Sequence, residues 1–127
     1  MHSVLAISIA IALALAAQGP DFAFAEQSHD FGTIGNTKQK SHTFEVRNVG
    51  DEPLIIKHIA TSCGCTTTNY TKTPIKPGKK GRITVTFNPR SQRSGTFRKS
   101  VTVFTNSPRN YTRLFVSGEI EPLSFCK

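Results

Sequence analysis

The chain has 127 residues, of which 37% are apolar, and it carries 16 Lys and Arg against 8 Asp and Glu, for a formal charge of +8. This length allows one domain, and 3 cysteines are too few for a disulfide-dense miniprotein. The β-branched and aromatic content, with 9 Phe, argues against a disordered chain. The composition therefore predicts one basic globular domain and excludes a multidomain enzyme.

The chain begins with an apolar stretch. Residues 4–17 read VLAISIAIALALAA and contain no charge. A membrane-spanning helix needs about 20 residues, whereas a run of about 14 fits the apolar part of a secretory signal peptide. Ala23-Phe24-Ala25 has the small-x-small pattern that a signal peptidase accepts. We predict that residues 1–25 are a signal peptide cleaved after Ala25, and that the exported domain, 26–127, keeps no stable membrane span. An uncleaved signal anchor is the alternative.

The remainder of the chain alternates apolar and polar residues with the period of β-strands. Phe44 and Val46 share one face of their run, as do Ile83, Val85 and Phe87 of another. Turn-forming Gly, Pro and Asn lie between the runs. The predicted strands are 29–34, 42–48, 54–60, 63–68, 82–88, 96–105 and 111–118. About seven strands in about 100 residues predict an all-β, immunoglobulin-like antiparallel β-sandwich; a closed barrel is the alternative.

Motifs in a fixed order carry a family resemblance. They are His29-Asp30-Phe31-Gly32-Thr33-Ile34, Phe44-x-Val46-x-Asn48-x-Gly50-Asp51-x-Pro53, Ser62-Cys63-Gly64-Cys65-Thr66, Ile75-x-Pro77-Gly78 and Gly95-x-Phe97-x-Lys99. In this order and spacing they resemble the bacterial family called domain of unknown function 1573, which is similar to the Hydin-like Ig-fold modules. The Ser-Cys-Gly-Cys-Thr element is the most specific part. The resemblance implies an exported Ig-like domain without an established activity, and it does not account for Cys126.

Cys63-Gly64-Cys65 is the first candidate for chemistry. In an extended strand, residues two apart project from one face, with Cα atoms about 6.5–7 Å apart, which is at or beyond the limit for an unstrained disulfide. Two thiolates on one face would bind a soft metal such as copper or zinc, or would form an easily reduced disulfide. The structural alternatives are buried thiols or a disulfide, within the pair or from one of them to Cys126. The odd cysteine count leaves one thiol over if a single bridge forms.

Basic residues form two groups around successive turns. The first is Lys76, Lys79, Lys80 and Arg82, and the second is Arg90, Arg93, Arg98 and Lys99. The two turns could neighbour each other at one end of the sandwich, where a positive surface would attract an acidic envelope protein or an anionic surface glycan. A solvated surface that keeps the protein soluble is the alternative. Nucleic acid is not expected as a partner, because the export signal opposes it and no aromatic platform for bases is visible.

Few residues are available for catalysis. The 4 histidines are scattered, and we find no nucleophile elbow, paired carboxylates or glycine-rich phosphate loop. His29 is interpreted as a surface or strand-end residue rather than a ligand. We therefore predict no catalytic residues and no cofactor. The leading hypothesis is a non-enzymatic binding or scaffold module of the bacterial cell envelope. The alternative is a copper- or zinc-binding or thiol-redox protein that uses Cys63 and Cys65.

Overall fold

The computed structural model describes residues 19–122. It contains the strands β1 (Phe22–Phe24), β2 (Ser28–Ile34), β3 (Lys40–Asn48), β4 (Ile56–Thr61), β5 (Thr66–Tyr70), β6 (Lys80–Phe87), β7 (Gly95–Thr105) and β8 (Tyr111–Ile120). They form two sheets, ordered β1-β3-β6-β5 and β2-β8-β7-β4. This confirms the prediction of an all-β, Ig-like sandwich. The apolar stretch 4–17 and Cys126 lie outside the described residues.

Side-chain alternation holds the two sheets together. In β6, Ile83, Val85 and Phe87 are fully buried, while Thr84 and Thr86 between them are partly exposed. A strand places successive side chains on opposite faces, so one face of each sheet supplies apolar groups to the core. The central core residues contributed by the two sheets are Phe44, Val46, Ile83, Val85, Val101, Val103, Leu114 and Val116. The predicted inward-facing positions are thereby confirmed.

Two predicted strands start later than their sequence pattern indicated. Leu54 forms only an isolated bridge with Ile75, by backbone hydrogen bonds of 2.9 and 2.8 Å, and β4 begins at Ile56. The predicted strand 63–68 begins at Thr66, because residues 62–65 form a turn. Apolar and small side chains in these segments are compatible with either conformation, so their pattern alone does not separate a strand from a turn.

The first strand of the sandwich is divided between the sheets. β1 pairs antiparallel with β3, and β2 pairs parallel with β8. The prediction of a wholly antiparallel sandwich is therefore wrong for this one pair. The chain crosses from one sheet to the other between β1 and β2, at residues 25–27. This crossing places Glu26 at the side of the sandwich, between the two sheets.

β1 coincides with the end of the predicted signal peptide. The Phe22 ring is 3% exposed and belongs to the main core cluster. The Arg109 guanidinium lies 4.0 Å above that ring, pairs with Asp21 at 2.9 Å and donates to the Phe22 carbonyl. Cleavage after Ala25, which stays a prediction, would remove all of these contacts. Within residues 19–122 no helix has the length and apolar character needed to cross a bilayer.

Replacing Phe22 tests whether β1 belongs to the mature domain. We expect Phe22→Ala to lower the free energy of unfolding by about 3 kcal/mol, because it empties a buried aromatic site. Urea unfolding of the purified exported protein measures this change. Val49→Ala is the matched control, since Val49 is 47% exposed and its truncation should change stability by less than about 0.5 kcal/mol. An unchanged stability of Phe22→Ala, with a mature chain that starts at Glu26 by mass spectrometry, would show that the domain folds without β1.

Candidate functional site

Cys63 and Cys65 are bonded to each other in the turn between β4 and β5. Their Cα atoms are 5.1 Å apart, within the range that disulfides span. The Thr66 N–H donates to the Cys63 carbonyl at 3.1 Å, and the Cys65 N–H donates to the Cys63 sulfur at 3.1 Å. Both cysteines are partly buried. The Cys65 side chain packs against a small buried cluster of Ile34, Phe87 and Ile120.

The turn changes the chemistry that the cysteine spacing had indicated. An extended chain would hold the two Cα atoms about 6.5–7 Å apart, and the turn brings them within bonding reach. With the sulfurs of Cys63 and Cys65 bonded to each other, neither is a thiolate. A copper or zinc ion at this pair therefore requires prior reduction of the disulfide. Of the arrangements left open by the sequence, the structure contains the disulfide within the pair.

The same turn takes the chain from one sheet to the other. The Ser62 N–H donates to the Ser100 carbonyl at 3.0 Å, and the Ser62 hydroxyl accepts from the Ser100 N–H at 3.0 Å. These are the last bonds between this segment and β7. Three residues later, the Cys65 carbonyl accepts from the Asn88 N–H at 2.8 Å, at the end of β6 in the opposite sheet. The disulfide thus closes the turn at the point where the segment that follows β4 stops pairing with β7.

The start of β7, residues 95–99, consequently pairs with β8 alone. Ser100 directs its N–H and carbonyl towards Ser62, and this direction alternates along an antiparallel strand. Thr96 and Arg98 therefore direct their backbone groups to the side that β4 no longer covers. We call residues 95–99 the open edge of β7. An exposed edge of this kind is a template for pairing with another extended chain.

A groove of about 620 Å³ runs beside the open edge. Arg93, Arg98 and Lys99 give it positive charge, and the partly exposed Phe97 ring is its apolar floor, whereas Ile120, which also lines the groove, is only 1% exposed. The remaining lining residues are Ser91, Gln92, Ser94 and Thr96. The Phe97 ring is fixed by stacking on the buried Phe87 ring, with centroids 4.1 Å apart. The groove is therefore suited to a segment that combines acidic and apolar side chains.

The two basic groups lie at opposite ends of the sandwich. Lys76, Lys79, Lys80 and Arg82 surround the start of β6, whereas Arg90, Arg93, Arg98 and Lys99 follow its end. At about 3.3 Å per residue, a strand of this length separates them by about 25 Å. The expectation that the two turns could neighbour each other is wrong, because one extended strand joins them. Only the second group adjoins the open edge.

The first basic group is partly neutralised. The Lys80 ammonium lies 3.6 Å from a Glu45 carboxylate oxygen, and both side chains are more than half exposed. Its turn is held from inside by Asn48, which is fully buried and donates to the carbonyls of Glu52 and Ile75 at 2.7 and 2.8 Å. This end of the sandwich is thus built around a satisfied buried amide, with the lysines on its surface.

One cluster escaped the interpretation of the sequence. The His29 and His42 rings stack with centroids 3.7 Å apart, and the His42 Nε2 lies 2.9 Å from a Glu26 carboxylate oxygen. The two histidines lie in different sheets, on β2 and β3. Each stands two residues before an inward-packing ring, Phe31 or Phe44. That shared spacing directs both imidazoles towards the space between the sheets. It is the one sequence signal that could have indicated the contact between the two histidines.

Solved structures share this fold at low sequence identity. A protein of unknown function from Porphyromonas gingivalis W83 is 23% identical, with a TM-score of 0.72 over 82% of this chain and 48% of that chain. This chain therefore spans about half the length of that protein. The ASH/PapD-like domain 7 of human CEP192 is 13% identical, with a TM-score of 0.66 over 81% of this chain and 87% of that domain. The YadV chaperone is 15% identical, with a TM-score of 0.53 over 84% and 55% of the two chains.

At these identities the similarity establishes the PapD-like, Ig-like fold alone. No curated protein sequence matches the chain. The resemblance seen in the sequence motifs is nevertheless confirmed. A family model described as "Protein of unknown function (DUF1573)" matches residues 22–120, and the chain belongs to that family.

Proposed function

We propose that this chain is a non-enzymatic, Ig-like binding module of the bacterial cell envelope, and that the open edge of β7 receives an extended, acidic segment of an envelope protein. The observation that carries the proposal is the unpaired backbone of Thr96 and Arg98 beside a basic groove. A partner strand would satisfy these backbone groups and would cover the apolar floor.

The energetics favour a modest, charge-dependent interaction. Each backbone hydrogen bond to a partner strand adds about 0.5–1.5 kcal/mol, and Thr96 and Arg98 together offer donors and acceptors on one side. Burial of the exposed part of Phe97 adds an apolar contribution. Arg93, Arg98 and Lys99 would steer an acidic segment to the edge and would fix its register. The signal peptide predicted from the sequence supports an envelope location.

The other basic group and the outer edge of β5 fit this role less well. The outer edge of β5 carries the uncharged sequence TTTNY. Lys76, Lys79, Lys80 and Arg82 surround the start of β6, which pairs with β3 on one side and with β5 on the other. The similarity of the fold to a chaperone, a class defined by protein binding, also supports a protein partner. An anionic surface glycan would need the charges but not the backbone edge, so the two partners can be separated by experiment.

A proline at the open edge tests strand pairing. Thr96→Pro removes an N–H that points away from β8, so the β7–β8 ladder should persist while partner binding falls at least about tenfold. Thr68→Pro is the matched control. The backbones of Cys65 and Thr71 bond to the β6 segment, and because the direction alternates along the strand, the Thr68 N–H points to the side of β5 that faces away from β6. Each immobilised variant is incubated with envelope extract of the cells that make it, and retained proteins are quantified by mass spectrometry. Circular dichroism checks the fold. Equal retention by wild type and a folded Thr96→Pro would refute the proposal.

Charge reversal separates the two classes of partner. We expect Arg93→Glu/Arg98→Glu to abolish retention of the envelope protein, and Lys79→Glu/Lys80→Glu, at the far end of β6, to leave it unchanged. Binding of the acidic glycan polygalacturonate is measured in parallel. If the arginine pair governs glycan binding and Thr96→Pro leaves all binding intact, the partner is a glycan held by charge, and pairing with a protein strand is excluded.

The disulfide supports a second candidate function, thiol–disulfide exchange. Its two cysteines are partly exposed residues in a turn, where a dithiol protein could approach them. In such a reaction the Cys63–Cys65 bond breaks and takes up two electrons and two protons, while the partner's two thiols lose them and form a disulfide. In the binding module, by contrast, the bond braces the turn that exposes the open edge.

Removing the disulfide distinguishes a brace from a redox centre. Cys63→Ser/Cys65→Ser should lower the free energy of unfolding by at most about 2 kcal/mol, because the closed loop is short. If the disulfide only stabilises the turn, retention of the partner falls no more than the folded fraction of the variant does. In that case, alkylation of the wild type in intact cells finds Cys63 and Cys65 oxidised. A substantial reduced fraction in cells, together with a mixed disulfide trapped by Cys65→Ser or Cys63→Ser, would favour the exchange reaction.

A further inference from the structure

We propose that Glu26, His29 and His42 form a binding site for a divalent transition-metal ion of the zinc class. The site is separate from the open edge of β7, since it lies on the side of the sandwich formed by β1 and β2, whereas β4 and β5 form the other side. It also differs from the cysteine pair, whose sulfurs are bonded to each other. The three residues supply two imidazoles and one carboxylate, the donor set that zinc and copper(II) prefer.

The donor atoms are close enough for one ion. One ligand atom from each of Glu26, His29 and His42 lies within 4.8 Å of the other two. Four-coordinate zinc holds its ligands at about 2.0–2.1 Å, which places neighbouring donor atoms about 3.3 Å apart. Each pair of donor atoms must therefore approach by at most about 1.5 Å, the difference between 4.8 Å and about 3.3 Å, and rotation of side-chain torsions supplies this approach. The Glu26 side chain is 49% exposed, against 21% for that of His42, so Glu26 has more freedom to move towards the ion.

Two sheets hold the histidines in place. His29 stands opposite Val116 of β8, and His42 stands opposite Val85 of β6. Ligands on strands are positioned more firmly than ligands on loops, because the backbone ladders fix their Cα atoms. The His42 ring also packs edge-to-face on the buried Phe44 ring, at 4.7 Å between centroids. The site is therefore preorganised in its backbone and adjustable in its rings.

The stacked rings must turn to take up the ion. The planes of His29 and His42 differ by only 6°, so their nitrogen lone pairs lie in two separate and nearly parallel planes. An imidazole binds a metal in its own ring plane, and one ion can lie in both planes only if the planes intersect at it. Binding therefore opens the stack by rotation about the Cβ–Cγ bonds. An unchanged Glu26–His42 hydrogen bond would not require this rotation.

The surroundings predict a site that keeps an open coordination position. His42 and Glu26 have side chains that are 21% and 49% exposed, so solvent reaches the metal. Two histidines and one carboxylate leave a fourth position of the tetrahedron for water or for a group on a partner. Glu26 is also the first residue kept after the predicted cleavage at Ala25, so all three ligands remain whether that bond or one nearer the start of the chain is cut.

Metal titration of the purified protein without a histidine tag tests the site. Zn²⁺ is added in competition with a chromophoric chelator, and we expect one bound equivalent for the wild type. His29→Gln and His42→Gln should each weaken binding at least tenfold, since glutamine keeps the size and hydrogen-bonding capacity of the side chain but not the ligand nitrogen. His58→Gln is the matched control. His58 is an exposed histidine on β4, and its loss should leave the affinity unchanged.

A spectroscopic readout separates a shared site from adventitious binding. With Cu²⁺ as the probe, electron paramagnetic resonance of the wild type should show two coupled imidazole nitrogens, and His42→Gln should show one or none. Zn²⁺ should also raise the melting temperature of the wild type and of His58→Gln, but not of His42→Gln. Stoichiometric binding that persists in a folded His29→Gln/His42→Gln variant, or no binding by the folded wild type, would overturn the proposal.

Discussion

The apolar layer between the two sheets is the interaction on which every other feature of this protein depends. Phe44 and Ile83 on one sheet meet Val103 and Leu114 on the other, and all four are fully buried. A slip of one residue in any of these strands would turn its apolar face to water. The core therefore fixes the strand registers, and the registers fix which exposed side chains become neighbours.

Both candidate sites arise where the chain passes from one sheet to the other. At residues 25–27 the first strand changes sheets, which places Glu26 beside His29 and His42. At residues 62–65 the segment after β4 stops bonding to β7 and begins to bond to the end of β6, which leaves the start of β7 uncovered. A crossing must break strand pairing, because one segment cannot hydrogen-bond to both sheets at once. Of the crossings between the sheets, the one at residues 25–27 thus brings side chains together, and the one at residues 62–65 leaves backbone groups of β7 unpaired.

The cysteine turn and the open edge form one structural unit. The disulfide closes the turn, the turn ends the pairing with β7, and the uncovered strand lies beside a groove with an apolar floor and a basic rim. A single brace of this kind keeps the edge available without an extra domain. Under the proposed function, the most specific sequence element of the chain would support recognition without a reactive thiol.

The sequence by itself determined the fold class and the inward-facing residues, because side-chain direction alternates along a strand and this period is local. It also singled out the Cys63-Gly64-Cys65 element, since that spacing is visible without any partner. It did not reveal the parallel pairing of β2 with β8, the turn that brings the two sulfurs together, or the separation of the basic groups along β6. Those features, and the meeting of His29 with His42 across the sheets, were decided only by the tertiary structure. They depend on contacts between distant segments that form when the core closes, and no local pattern encodes which segments those are.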